Sequence, residues 1–174
     1  MRLLGLDPGL QRTGWGVIEA GTHVLRFVGA GVVSTDPGDD LARRLDVLYR
    51  GLWEVVAGQA PDAAAVEETV INRNPGSSLK LGQARGVVLL AAAHAGLRVT
   101  EYASKTVKRA VVGTGAADKR QVAMMVRMLL PASGRVAGDA ADALAVALCH
   151  AHHQASRDRL AAALAAVPPA APRV

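Results

Sequence analysis

Hydrophobic and polar positions along the chain switch repeatedly between strand-like runs and helical spacing, and each switch predicts an element boundary. Leu3, Leu4 and Leu6 form a short apolar run closed by Asp7-Pro8-Gly9, the pattern of a buried strand that enters a tight turn with Asp7 at its end. Gly14 to Ile18 and Val24 to Thr35 follow as two further β-rich segments with short Gly-containing connections, which predicts an antiparallel three-strand meander. From Asp39 the period becomes helical: Leu41, Leu45, Leu48, Leu52 and Val55 recur on one face behind Asp39 and Asp40, whose carboxylates can cap the orphan N–H groups of a helix ending near Gly58. Ala63 to Glu67 reads as a fourth strand and Asn72 to Gly76 as a loop. Ser77 or Ser78 then caps an apolar helix that runs to about Ala95 and stops at Gly96. Leu97 to Tyr102 is the fifth strand. Helices near Ser104–Val112 and Asp118–Leu130 are separated by Gly113-Thr114-Gly115, and a last helix behind Gly138 carries Asp139 and Asp142 and extends past His150.

This order, three antiparallel strands, then two strands reached by αβ crossovers, predicts an α/β fold: a mixed sheet covered on both faces by helices. At 174 residues the chain fits one domain with a sizeable core. Residues 1–155 are expected to form it, with residues 156–174 as an Ala/Pro-rich C-terminal tail whose composition reads as disordered. The longest stretch free of Asp, Glu, Lys and Arg is Ala143 to Ser156, well short of the roughly 20 apolar residues of a membrane span. The start shows no signal-peptide core, and the single Cys149 has no partner for an internal disulfide. A cytoplasmic protein is expected.

Charge changes the picture by its distribution. Residues 1–72 carry six basic and ten acidic groups, residues 73–135 eleven and two, and residues 136–174 three of each. A solvated face is the ordinary meaning of a charge run. A basic region of this size in an otherwise neutral or acidic chain points to a polyanion, nucleic acid first.

Four carboxylates occupy positions from which they can converge. Asp7 ends the first strand, Glu67 ends the fourth, and Asp139 and Asp142 lie three apart on one helix face. Singly, each has an ordinary structural explanation: Asp7 as a turn former, Asp139 as an N-cap, Glu67 as half of a solvated pair with Glu68.

The residues also resemble a known family. Leu4-Gly5-Leu6-Asp7-Pro8-Gly9 with Thr13-Gly14-Trp15-Gly16, Ala65-Val66-Glu67-Glu68, Ser78 to Gly86, Val107-Lys108 with Val111-Val112-Gly113, and Asp139-Ala140-Ala141-Asp142-Ala143-Leu144-Ala145 are similar, in this order, to the RuvC family of bacterial Holliday-junction resolvases. The resemblance spans about residues 2 to 153. It implies a ribonuclease-H-like fold and a homodimer. It also implies a structure-specific endonuclease of recombination and DNA repair, making two symmetric metal-dependent nicks that leave 5′ phosphate and 3′ hydroxyl ends. It implies that Asp7, Glu67, Asp139 and Asp142 are the catalytic metal ligands, for Mg²⁺ with Mn²⁺ as a substitute and two ions per site. The branch-migration proteins RuvA and RuvB are implied as partners. Clustered carboxylates suit this chemistry, since they repel one another until hard cations neutralise them.

Arg73, Lys80, Arg85, Lys105, Lys108, Lys119 and Arg120 are candidate DNA contacts, with Lys108 and Lys119 at positions where the family uses lysines. The family often places a junction-wedging aromatic after the residue matching Glu67. Here the stretch is Thr69-Val70-Ile71-Asn72, which leaves Val70 or Ile71 as an apolar wedge. His150, His152 and His153 read as solvated helix surface, and His150 lies about 16 Å along the helix from Asp139. Gly113-Thr114-Gly115 lacks the rest of a phosphate-binding loop, so no ATP is expected, and Cys149 reads as packed. The helix from Leu79 to Ala95 is a candidate dimer face. Two rival readings are disfavoured: a nucleotide-binding enzyme of the actin and sugar-kinase superfamily uses two such domains where 174 residues supply one, and a junction-binding module without catalysis would be favoured had any of the four acids been replaced.

Overall fold

The computed structural model describes residues 1–21, 24–68 and 74–165. Its strands are β1 (Arg2–Asp7), β2 (Arg12–Ala20), β3 (Leu25–Ser34), β4 (Ala63–Glu67) and β5 (Arg98–Tyr102). Its helices are α1 (Leu41–Gln59), α2 (Pro75–His94), α3 (Ser104–Val112), α4 (Lys119–Leu129) and α5 (Asp139–Ala165). The sheet order is β3-β2-β1-β4-β5, antiparallel across β3, β2 and β1 and parallel across β1, β4 and β5. This is the mixed ribonuclease-H-like sheet expected from the sequence.

Alternation along the central strands sorts the side chains between two cores. Leu4, Leu6, Ala64 and Val66 face α1 and α2, where they meet Leu48, Leu52, Ala84, Val88 and Ala91. Leu3, Ala63 and Ala65 face the other way, toward Leu144, Val146, Leu148 and the buried valines of α3 and α4. Because both faces are covered, the run Leu3 to Leu6 is buried without interruption, as a central strand with helices on both sides requires.

The sheet carries α5 at unusually short range. A side chain at Gly5 would land on the carbonyl of Ala143, and one at Gly16 would overlap Leu144. The alanines that line α5 from Ala140 to Ala151 are buried in the same contact, so small residues on both partners set the helix almost against the strand backbone.

Several boundaries differ from expectation. α2 begins at Pro75, because Asn74 rather than Ser77 or Ser78 is the N-cap: its side chain accepts from the Ser77 amide, and Pro75 sits where a missing N–H costs nothing. α1 continues to Gln59 and ends on Ala60 in the left-handed region, φ 46°. α5 continues to Ala165, so the first ten residues assigned to the tail are helical. Alanine and leucine favour that continuation, and the composition that read as low complexity is also that of a solvated helix. Residues 166–174 lie outside the described residues, as do Val70, Ile71 and Arg73. No described helix is long and apolar enough to cross a membrane.

Candidate active site

The site forms where β1 and β4 deliver their last residues beside the first turn of α5. Parallel pairing of β1 with β4 places Asp7 and Glu67 at the same edge of the sheet. Across the antiparallel pair, Gly14 is the partner of Asp7, and any side chain there would strike the carbonyl of Asp139 and come 3.1 Å from its Cβ. Glycine at this point lets the start of α5 sit directly over the end of β1. Asp139 and Asp142, three apart on a helix, then project together toward Asp7.

Oxygens of Asp7, Asp139 and Asp142 lie within 4.8 Å of one another. Glu67 stands slightly apart from this trio and lines the same cleft of about 130 Å³ with Asp7, Asp142, Ser104, Lys108 and Lys119. At roughly 30 Å³ per water this volume admits a cation with part of its hydration shell. The donor set is all carboxylate oxygen, the choice of hard divalent cations rather than zinc or copper. The acidic cluster can therefore hold a metal.

Burial pushes the Asp7 carboxyl up from its ordinary 3.8 to about 7, helped by the negative charges of Glu67, Asp142 and Asp139 and opposed by Lys119. Glu67 is also raised, first by burial, while a hydrogen bond from the Ser104 side chain and the charges of Lys119 and Lys108 pull it back. Two cations touch the cluster directly. Lys119 Nζ donates to Asp142 Oδ2 at 2.9 Å, and Arg12 Nε donates to Asp139 Oδ2 at 2.7 Å. The lysine is raised chiefly by its hydrogen bond to Asp142. Both pairs lie at the solvent boundary, where such contacts orient more than they stabilise.

The remaining candidate contacts divide. Lys108 lines the cleft, and Lys80, Lys105 and Arg120 are solvent-facing. Arg85 turns inward from α2 and pairs with Glu101 on β5, so this cation is spent on the fold. Two participants escaped the sequence reading. Ser104 read only as a helix start, yet Ala103 is the N-cap and no side chain caps this helix, which leaves the hydroxyl for Glu67. Arg12 lies in the acidic third of the chain, where a regional charge count gives it no weight.

Of the three histidines expected on solvated surface, His153 is exposed, His152 is partly buried and His150 departs fully. His150 is 3% exposed, shares a 2.9 Å hydrogen bond with the Tyr102 hydroxyl through Nδ1, and is held below its usual titration range by burial. His152 Nδ1 contacts the Ala110 carbonyl at 3.0 Å, tying α5 to α3, and His153 stacks on Tyr102. Cys149 is packed as expected, and burial pushes its thiol up to about 12.

The family model described as crossover junction endodeoxyribonuclease RuvC matches residues 3–150. The protein of that name from Acidiphilium cryptum is 59% identical over 162 residues, covering 93% of this chain and 97% of its own. That from Paramagnetospirillum magneticum is 58% identical over 165 residues, covering 95% and 99%. Among solved structures, Thermus thermophilus RuvC in complex with Holliday junction substrate superposes with a TM-score of 0.81 at 37% identity, covering 90% of this chain and 96% of that one.

Proposed function

Because the chain belongs to the RuvC family of crossover junction endodeoxyribonucleases, we propose that it resolves Holliday junctions by hydrolysing one phosphodiester bond in each of two opposed strands. The observation that carries this reading is the convergence of Asp7, Asp139 and Asp142 within 4.8 Å in a cleft rimmed by Lys108 and Lys119. Asp7, Glu67, Asp139 and Asp142 are the proposed ligands, for Mg²⁺ or its substitute Mn²⁺. Divalent cations held by these carboxylates would supply activation of the attacking water and stabilisation of the leaving 3′ oxygen.

The protein's own groups do the rest. Asp7 cannot readily keep its charge in this setting without a cation nearby, so its burial couples deprotonation to metal binding. Ser104 orients Glu67. Lys108 and Lys119 give the incoming phosphate a positive rim, and Lys80, Lys105 and Arg120 extend it over the neighbouring backbone. Such contacts fix register and carry no base information. Val70 and Ile71, between Glu67 and the basic region, remain the proposed apolar wedge at the junction core. RuvA and RuvB as partners, and the cytoplasm as the place of action, belong to the same reading.

A junction cut at two symmetric points needs two sites related by a twofold axis, which a homodimer supplies. One face of α2 supports this. Leu79 and Leu90 are 67% and 58% exposed, and Gly82 and Gly86 lie between them with open space around their Cα positions. Near the end of this stripe, Trp53 is half exposed beside Tyr49 and His94. An apolar strip with glycines at its middle suits close packing of two α2 helices.

The test is incubation with an end-labelled four-way junction in Mg²⁺ or in EDTA, without ATP. Paired nicks that T4-type ligation can reseal are expected in Mg²⁺ alone. Cutting that needs ATP, or binding with no cutting in either Mg²⁺ or Mn²⁺, would overturn the assignment in favour of the nucleotide-binding or non-catalytic reading.

A further inference from the structure

Arg12 opens β2 opposite Ser34 of β3, and its side chain reaches the acidic cluster with an unusual use of its donors. A guanidinium that serves only to neutralise a carboxylate favours the two-pronged arrangement, with two parallel N–H bonds to the two oxygens. Here a single bond joins Nε to Asp139 Oδ2 at 2.7 Å. The two terminal nitrogens have no partner among the described residues, and the side chain is 58% exposed. Asp139 keeps its second oxygen for a cation. The result is a guanidinium anchored at one corner, standing in solvent at the rim of the cleft, with its planar pair of amino groups unused.

We propose that Arg12 is a substrate-contacting residue: Asp139 holds it by Nε, and its terminal amino groups bind the non-bridging oxygens of a backbone phosphate of the strand entering the site. Anchoring by Asp139 removes rotamer freedom before DNA arrives, so less is lost on binding than for a free surface arginine. The fork geometry matches two phosphate oxygens, which Lys119, a point charge bonded to Asp142, does not. The rim of the acidic cluster thus carries Arg12 from β2 on one side in addition to Lys108 from α3 and Lys119 from α4, and the strand's phosphates are received between them. This inference rests on the reading of the chain as a DNA nuclease.

The test measures equilibrium binding of a four-way junction by the full-length protein in EDTA over a series of KCl concentrations, so that no cleavage intervenes. Each lost phosphate contact lowers the log–log salt slope by about 0.7–0.9. Arg12→Ala is expected to lower the slope by that amount, and Arg12→Lys, which keeps the charge, to retain it. Arg12→Ala also leaves Asp139 unneutralised, so the double variant Arg12→Ala/Asp139→Asn, which restores the charge balance, is compared with Asp139→Asn alone. A slope still lower in the double variant supports direct contact, and equal slopes overturn it. A second readout is Mg²⁺ affinity of the DNA-free protein by calorimetry. A 10–100-fold loss in Arg12→Ala with an unchanged slope would make Arg12 only a positioning residue for Asp139 and would refute the proposal. Wild type that prefers a plain duplex to the junction would defeat the resolvase reading, while the slope on that duplex would still decide Arg12. Wild type that binds no DNA defeats both.

Discussion

Asp7→Asn removes a strongly perturbed carboxylate, and in the absence of metal it should make the protein more stable while destroying its activity. The rise of Asp7 from 3.8 to about 7 corresponds to about 4 kcal/mol at 1.36 kcal/mol per pH unit. The sign follows from linkage: a group whose folded pKa is raised favours the native state below its unfolded value. That contribution is lost as pH climbs from about 4 to about 7, and above this window the folded protein bears the full penalty of the buried charge. Asparagine carries no charge to bury but leaves a partly satisfied amide, which takes back about 1–2 kcal/mol. The net gain at pH 8 in EDTA is then about 2–3 kcal/mol, or a melting temperature about 4–12 °C higher for a chain of this size. Thermal unfolding of wild type and variant, followed by circular dichroism at pH 4 and pH 8, tests this. The variant should be the more stable at pH 8, the difference should shrink toward pH 4, and Mg²⁺ should stabilise wild type far more than the variant. A variant no more stable than wild type at pH 8, or a gap independent of pH, would refute the account of Asp7 as a buried charge held in check by its metal.

Asp139→Asn, Asp142→Asn and Glu67→Gln should each slow nicking by more than about 100-fold, as expected for several kcal/mol of lost metal-assisted stabilisation, while junction binding in a gel-shift assay is kept or improved. Near-normal nicking by any one of them would remove that residue from the site. Gly14→Ala should push the start of α5 away from β1, costing about 1–3 kcal/mol by chemical denaturation and about 100-fold in nicking at full folding; a variant of wild-type activity would show that the close approach is dispensable. Tyr102→Phe strands the buried His150 ring nitrogen and should cost about 1–3 kcal/mol without changing nicking per folded molecule, since this pair lies well down α5 from Asp139. A Cβ at Gly86 would meet nothing within 4 Å, so Gly86→Leu should leave the melting temperature at low concentration unchanged while sedimentation shows dissociation of the dimer; an intact dimer would exclude this face of α2.

The sequence by itself determined most of the framework, because local signals and tertiary context agreed in it. The short apolar run Leu3 to Leu6, closed by Asp7-Pro8-Gly9, read as a buried strand, and the switch from period two to helical spacing at Asp39 marked the crossover. Capping chemistry at Asp39 and Asp40 placed the start of α1, where Asp40 is the cap used, whereas at α2 the expected Ser77 or Ser78 gives way to Asn74 followed by Pro75, a choice that spacing alone leaves open. The four carboxylates could be named from strand ends and an i, i+3 pair. Their separation could not, since it depends on how closely α5 approaches β1, and that is set by three glycines against a run of alanines. Charge patterning found the basic region but not its pairings: Arg85 of α2 is drawn into a pair with Glu101 of the next element, β5, and Arg12, in an acidic stretch, is carried to Asp139 by the meander. Whether His150 is wet or buried likewise turns on the Tyr102 hydroxyl 48 residues away. Local pattern fixes which groups an element offers and on which face, but pairing between a charge and its partner is a through-space interaction falling off within a few ångströms, so only the packed fold decides which cations remain for a substrate.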